Sequence, residues 1–291
     1  MPSTQALKGR IRSVKSTKQI TKAMQLVAAS KMRRAQEATK ASAPYTAAAR
    51  ELLANLSRHT SVKGHPLFTQ RAVKNRLLVV IASDKGLAGA FNSNLTRLYA
   101  NELIADDKSG VKNTTITVGR KAAHFVARIK DTDVRGSYQD LPDHPDGSEL
   151  YAILDTARDL FTSGEVDAVD IIYTEYISSV VQRATVQRVL PAGDGVLESD
   201  ASPTPQDATY EPSAEEVLDG VAYRLVSAQL YQALLDSRAS EYSMRMMAMK
   251  NATDNATDLI DDLTLEMNKA RQSAITQELA EISGGVEAMH E

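Results

Sequence analysis

The chain contains no cysteine and no tryptophan, and aromatic residues make up only 5% of its 291 positions. Without thiols there is no disulfide, no thiol nucleophile and no thiolate metal site. So few aromatics imply a small core, as in a helix-rich protein. No apolar run approaches the ~20 residues that cross a bilayer. The opening Met-Pro-Ser-Thr-Gln lacks the charged-then-apolar order of a secretory leader. A soluble cytoplasmic protein is expected, one still able to dock on a membrane-bound complex.

Glycine and proline are nearly missing from both ends. Between Gly9 and Gly64 there is no glycine and Pro44 is the only proline; from Val221 to Ser283 there is neither. Nine of the fourteen glycines fall between residues 65 and 195, so turn chemistry is concentrated there. Two long helices should bracket a compact domain, and Pro44 should bend or locally unwind the first.

The C-terminal zone carries a strong periodicity. From Leu218, steps of three and four reach Val221, Leu225, Ala228, Gln232, Leu235, Ala239, Tyr242, Met246, Met249, Thr253, Ala256, Ile260, Leu263, Met267, Ala270 and Ala274. Only Gln232 and Thr253 are polar, so this is a heptad seam. A glycine-free helix from Val221 to Ser283 would span roughly 95 Å at ~1.5 Å per residue, so its seam needs a second helix. Leu7, Ile11 and Val14 begin a matching stripe. Ile20, Met24 and Val27 resume it after a six-residue step, which predicts a slip of phase. Alanines then follow, and Tyr45, Ala49, Leu52 and Leu56 continue the stripe. The two ends of the chain should form an antiparallel pair of unequal helices.

Between them, strand and helix signals alternate. The apolar run 76–82 fits a strand buried on both faces. Residues 114–118 fit a second strand, followed by a helix from about Lys121. A helix near 148–162 precedes a strand near 168–175, and 180–190 reads as a further strand ending at Pro191. The fold class is therefore α/β: a long antiparallel coiled coil of the terminal helices plus a small Rossmann-like central domain. The expected divisions are an N-terminal helix (1–60), a connector (61–75), the α/β domain (76–190), a Pro/Gly/Ser/Asp-rich linker (191–212) and a C-terminal helix (213–291).

The most enzyme-like stretch is "SDKGLAGAFN" (83–92), two glycines in a turn after an apolar run. A phosphate loop of the GxxxxGK[ST] type needs lysine and a hydroxyl after its last glycine, but Ala90 and Phe91 follow Gly89. A dinucleotide fingerprint needs a third glycine. Asp84 and Lys85 could still meet an anion at a helix N-terminus. The competing reading is structural: Gly86 supplies an unusual backbone angle and Gly89 allows close packing. His59, His65, His124, His144 and His290 form no metal-ligand pair. Asp143-His144-Pro145-Asp146 reads as a solvated turn. No nucleophile with a matched base is evident. Met244, Met246, Met247 and Met249 read as adaptable packing. The sequons at Asn251 and Asn255 lie inside a predicted helix.

Charge is uneven. Residues 1–40 carry ten basic residues and one acid, whereas 241–291 carry ten acids and four basic residues. A nucleic-acid arm would interleave aromatics among the basic residues, and none occurs before Tyr45. An acidic protein surface is the better partner.

Both ends then carry a resemblance. "IRSVKSTKQITKAMQLVAASKMRRAQ" (11–36) resembles the N-terminal helix of the F-type ATP synthase gamma subunits. "RMMAMKNATDNATDLI" (245–260) and "NKARQSAITQELAEISGG" (268–285) resemble their C-terminal helix, and "SDKGLAGAFN" their central loop. The order and spacing agree over essentially the whole chain. The resemblance implies a non-catalytic rotary central stalk, peripheral on the cytoplasmic face of a bacterial membrane. It implies alpha, beta and epsilon subunits and a membrane c-ring as partners, with no cofactor, no metal and no nucleic acid. Carried over by motif, Met24, Lys31, Arg33 and Arg34 would meet acidic beta-subunit loops. Arg271, Gln272, Thr276 and Glu278 would meet the alpha/beta ring higher up, and Tyr210 and Glu211 would form the foot toward the c-ring. Gly86 and Gly89 would only shape a turn. Two rivals stand beside this: a nucleotide-dependent enzyme using the α/β domain, and a coiled-coil nucleic-acid binder using the basic helix.

Overall fold

The computed structural model describes residues 3–59, 65–130, 132–142, 145, 147–192, 211 and 213–288. Two compact units emerge: Met1–Ala28 with Arg245–Glu291, and Ala29–Met244. The terminal helices α1 (Thr4–His59) and α5 (Ala214–Ala288) each contribute to both units.

The larger unit is built on five strands: β1 (Asn75–Ile81), β2 (Lys112–Val118), β3 (Asp133–Tyr138), β4 (Ala168–Tyr176) and β5 (Gln182–Leu190). Their order is β3-β2-β1-β4-β5; the first four are parallel and β5 runs antiparallel to β4. Three shorter helices accompany them: α2 (Phe91–Ser109), α3 (Arg120–Val126) and α4 (Tyr151–Thr162). The apolar run of β1 serves two cores at once, because alternate side chains leave opposite faces of a strand. Leu77, Val79 and Ile81 pack with Ile153, Leu154 and Phe161 of α4 and with Leu225 of α5. Leu78 and Val80 pack with Leu95 and Tyr99 of α2 and with Ala122 and Val126 of α3. This is the expected three-layer arrangement. Strand β3 has no counterpart in the sequence signals, because Asp133-Val-Arg-Gly-Ser-Tyr is an edge strand with mostly exposed side chains.

Within this unit α5 is more deeply held than a one-sided seam requires. Besides the seam residues, Ala222, Val226, Leu230, Ala233 and Leu234 are buried. A helix apolar all round is one buried all round. Polar pairing fixes its position as well. The β1–β4 pairing ends at Val80 and Ile172, so β4 continues with an open edge. There Thr174 donates its N–H to Ser237 Oγ (3.1 Å), and Ser240 Oγ donates to the Thr174 carbonyl (3.2 Å). Two helix serines thus replace a neighbouring strand and satisfy buried backbone groups. Further along, Ser243 Oγ donates to the Ser179 carbonyl (2.6 Å).

The smaller unit is an antiparallel helix pair. Leu7 and Ile11 of α1 pack with Leu263 of α5, flanked by Val14, Ile260, Met267 and Ala270. Thr253 donates a 2.8 Å hydrogen bond to the Thr21 hydroxyl. The expected phase slip does not occur. Ile20 and Val27 are exposed (58% and 56%), while Thr21 and Ala28 are buried. The true α1 seam keeps its 4-3 spacing through Leu7, Ile11, Val14, Lys18, Thr21, Gln25 and Ala28. Its polar members hide it from an apolar count. At the other end Ala274 is exposed, not a seam residue. Among the described residues the α1 contacts of the seam reach as far as Met267 and Ala270, which flank Leu7 and Ile11.

Of the two outcomes expected at Pro44, local unwinding does not occur: α1 runs unbroken through it. Pro44 and Lys40, whose carbonyl loses its donor, are both exposed, so water can meet that carbonyl.

Candidate functional site

The reversal of strand order between β1 and its neighbours β2 and β4 creates the crevice where doubly wound sheets take ligands. The 83–92 loop lies there, after β1. Several of its polar groups are already paired within the chain. Asp84 Oδ1 accepts the N–H of Arg120, the first residue of α3 (2.9 Å), and the N–H of Asp140 (3.1 Å). A phosphate would use helix-terminal N–H groups; the first such group of α3 is taken by the chain's own carboxylate. Ser83 donates its N–H (3.2 Å) and its hydroxyl (3.0 Å) to Asn92 Oδ1, tying the loop to the start of α2. The loop is a closed corner.

The glycine roles differ from those expected. Within the turn, Leu87 and Gly89 take positive φ (62° and 56°), whereas Gly86 does not. A Cβ at Gly86 would make only ordinary contact with the Lys121 side chain, at 3.8 Å. The position that tolerates no side chain is Gly119, after β2. Its φ is 91°, and a Cβ there would stand 2.1 Å from the Ala82 carbonyl oxygen.

The buried charges are structural. Arg76 on β1 pairs with Asp170 on β4 and with Glu102 (2.8 Å) and Asp106 (2.9 Å) on α2; Arg188 on β5 also grips Asp170. Burial disfavours the Arg76 charge, but the three carboxylates outweigh it and hold the guanidinium above its usual range. Sequence reading missed this cluster; its one signal is an aspartate inside the apolar run Ala168–Tyr173. His65 Nδ1 accepts the Leu67 N–H (3.2 Å) and caps a short 3-10 turn. His144, Asp143 and Asp146 lie outside the described residues. No group of three or more metal-ligating side chains exists among the described residues.

The residues expected to contact partners divide by exposure. Arg33 and Arg34 are exposed, but Lys31 is half-buried, its ammonium 5.5 Å from the centre of the Tyr242 ring. Lys31 therefore serves the larger unit's own packing through a cation–π contact, which its place in a basic run does not reveal. Met24 is half-buried in the smaller unit. Arg271, Gln272, Thr276 and Glu278 are all exposed on α5, where Thr276 Oγ1 only back-bonds to the Gln272 carbonyl (2.9 Å). Glu211 is exposed, and Tyr210 lies outside the described residues. Sequence reading passed over one apolar set: Ile275, Leu279 and Ile282 form an exposed i, i+4, i+7 stripe on α5, whose signal is apolar residues off the seam. On α1, Leu26 is exposed together with Ile20 and Val27, which the apolar count had assigned to the seam.

The 83–92 loop is tied down by the chain's own side chains, and the long helices keep apolar and charged residues exposed. Comparison with known proteins places these features in a family. The family model described as ATP synthase matches residues 3–289. The ATP synthase gamma chain of Stenotrophomonas maltophilia (strain R551-3) is 39% identical over 99% of this chain and 100% of its own length. That of Leptothrix cholodnii is 40% identical with the same coverage. Among solved structures, a chain from the central stalk/c-ring of the Tetrahymena thermophila mitochondrial ATP synthase is 26% identical. It has a TM-score of 0.60 and covers 80% of this chain and 99% of that one. A chain of the Euglena gracilis mitochondrial enzyme, 20% identical, shares the fold with a TM-score of 0.69 over 99% of this chain and 94% of its own. The chain belongs to the ATP synthase gamma-chain family. It is a rotary central-stalk subunit, non-catalytic within an enzyme complex.

Proposed function

We propose that this chain turns inside a ring of alpha and beta subunits and stands with an epsilon subunit on a membrane c-ring, at the cytoplasmic face of a bacterial membrane. Ion flow through the c-ring would turn the stalk and drive ATP synthesis; ATP hydrolysis would turn it in reverse. The observation that carries this reading is the full-length match to gamma chains, at 39% identity. No described helix is long and apolar enough to cross a membrane, which is compatible with a peripheral position.

Residue roles follow by motif. Arg33 and Arg34 face acidic beta-subunit loops, with Met24 near the same loops. Lys31 contributes less directly, since Tyr242 holds it. Arg271, Gln272, Thr276 and Glu278 meet the upper part of the ring, and their exposure in a long uncovered run, 271–283, supports this. Glu211, with Tyr210, approaches the c-ring. Each exposed ionic contact contributes only about 0.2–1 kcal/mol and weakens with salt. Contacts of that strength can break and reform as a stalk passes successive subunits.

The test reverses charge at Arg33 and Arg34 together, leaving Lys31 in place. The complex is reconstituted in vesicles, and ATP hydrolysis and ion pumping are measured on one preparation. A lower pumping-to-hydrolysis ratio is expected. An unchanged ratio with normal assembly would show that these two arginines are only solvated.

A further inference from the structure

A buried arginine on α5 stands at the crevice of the doubly wound sheet. Arg238 is only 8% exposed, and its Nη2 donates to the Leu141 carbonyl, in the loop after β3, at 3.0 Å. The same guanidinium lies 3.4 Å from Glu241 and 3.8 Å from Asp84 Oδ2. Asp84 in turn accepts the N–H groups of Arg120 and Asp140. One side chain of α5 is thus tied to the loops after β1 and β3 and, through Asp84, to the start of α3. Its Nε is buried and makes no hydrogen bond among the described residues. Removing Arg238 alone would leave Asp84 and Glu241 as mostly buried carboxylates without their cation. What the charge adds is direction.

We infer that Arg238 is the torque-bearing positioning residue that locks α5 to the α/β domain. This rests on the rotary reading above. Apolar packing resists separation of helix and sheet but is non-directional, so it opposes sliding and twisting weakly. A guanidinium held by the Leu141 carbonyl on one loop and facing the Asp84 carboxylate on another cannot slide without stranding a buried charge. Arg238 thus faces, beside the loop after β1, the same carboxylate that accepts the N–H groups of Arg120 and Asp140. The lock matters only when the stalk works against a load.

The experiment uses the assembled complex in vesicles with Arg238→Met, Arg238→Lys and Asp84→Asn. ATP hydrolysis is measured with an ionophore, so that no gradient opposes rotation, and the steady-state ion gradient is measured without it. Arg238→Met is expected to hydrolyse ATP at the wild-type rate when unloaded but to sustain a gradient reduced at least about twofold. Arg238→Lys, which keeps the charge, should restore part of it. Asp84→Asn preserves an acceptor for Arg120 and Asp140 while removing the charge facing Arg238, and should lower the gradient in the same direction. It decides the matter if Arg238→Met fails to assemble. A wild-type gradient in an assembled Arg238→Met complex overturns the inference, as does one in Asp84→Asn. So does a parallel loss of unloaded hydrolysis and gradient, which marks a merely structural role. If the wild-type complex itself builds no gradient, the rotary reading fails instead.

Discussion

Replacing Asp236 with asparagine should stabilise the α/β unit at neutral pH and leave it unchanged in acid. Asp236 sits on α5, half-buried. Burial is the main cause that pushes its carboxyl up to about 6, and Glu175 on β4 adds repulsion, while a 3.2 Å hydrogen bond from Gln232 pulls the other way. The folded-state pKa is raised above the unfolded value, so the contribution to stability is fully present below about pH 4. It is lost as pH rises through about 6. Raising the carboxyl to about 6 from the ordinary aspartate value is worth roughly 3 kcal/mol, taking 1.36 kcal/mol for each tenfold change in proton affinity. Solvent still reaches part of the group and screens it, which reduces the figure to about 1–2 kcal/mol. Asparagine keeps an acceptor for Gln232 and cannot ionise. Urea denaturation of both chains between pH 4 and 8 reads the difference. The gain on Asp236→Asn should be near zero at pH 4, grow between pH 4 and 7, and level off at about 1–2 kcal/mol. Equal stability of the two chains at pH 8, or a gain independent of pH, would refute the reasoning.

Three further expectations follow from particular contacts. Leu263→Ala, emptying the seam against Leu7 and Ile11, should cost about 2–4 kcal/mol in the helix pair, whereas Leu279→Ala on the exposed stripe should change stability by no more than about 0.5 kcal/mol; amide exchange along α5 separates the two. Gly119→Ala should destabilise the α/β unit by about 3 kcal/mol or more, because a Cβ meets the Ala82 carbonyl at positive φ. Gly86→Ala should be nearly silent, and thermal denaturation of each variant checks both. The isolated chain should show no micromolar affinity for ATP by calorimetry, since the loop lacks the lysine and hydroxyl of a phosphate loop and Asp84 already accepts the first N–H of α3 and that of Asp140; measurable binding abolished by changes at Lys85 or Gly89 would contradict this.

Periodicity made the two long helices and most of the sheet legible, because apolar spacing reports burial directly. It failed where burial is achieved by polar residues. Thr21 pairs with Thr253, and Lys18 and Gln25 complete the α1 seam, so an apolar count followed Ile20 and Val27 onto the wrong face. Ser237 and Ser240 dock α5 by bonding to the open edge of β4, and nothing in the local pattern marks them. Strand β3 was invisible because an edge strand needs little apolar character. The glycines of the 83–92 loop drew attention through a motif, yet the strictest steric demand falls on Gly119, which contacts a residue 37 positions earlier, Ala82. Of the candidate contact residues, the chain's own charge pattern suggested the basic cluster as a unit; only the fold separates Lys31, held at Tyr242, from the exposed Arg33 and Arg34.

The central claim is that this chain rotates against a fixed ring. It is tested most directly by holding the assembled complex through its beta subunits, attaching a reporter to Glu211→Cys on this chain, and adding ATP. Continuous rotation of the reporter in one direction, stopping when ATP is removed, is the predicted result. ATP hydrolysis at the full rate with a reporter that stays fixed relative to the ring would contradict it.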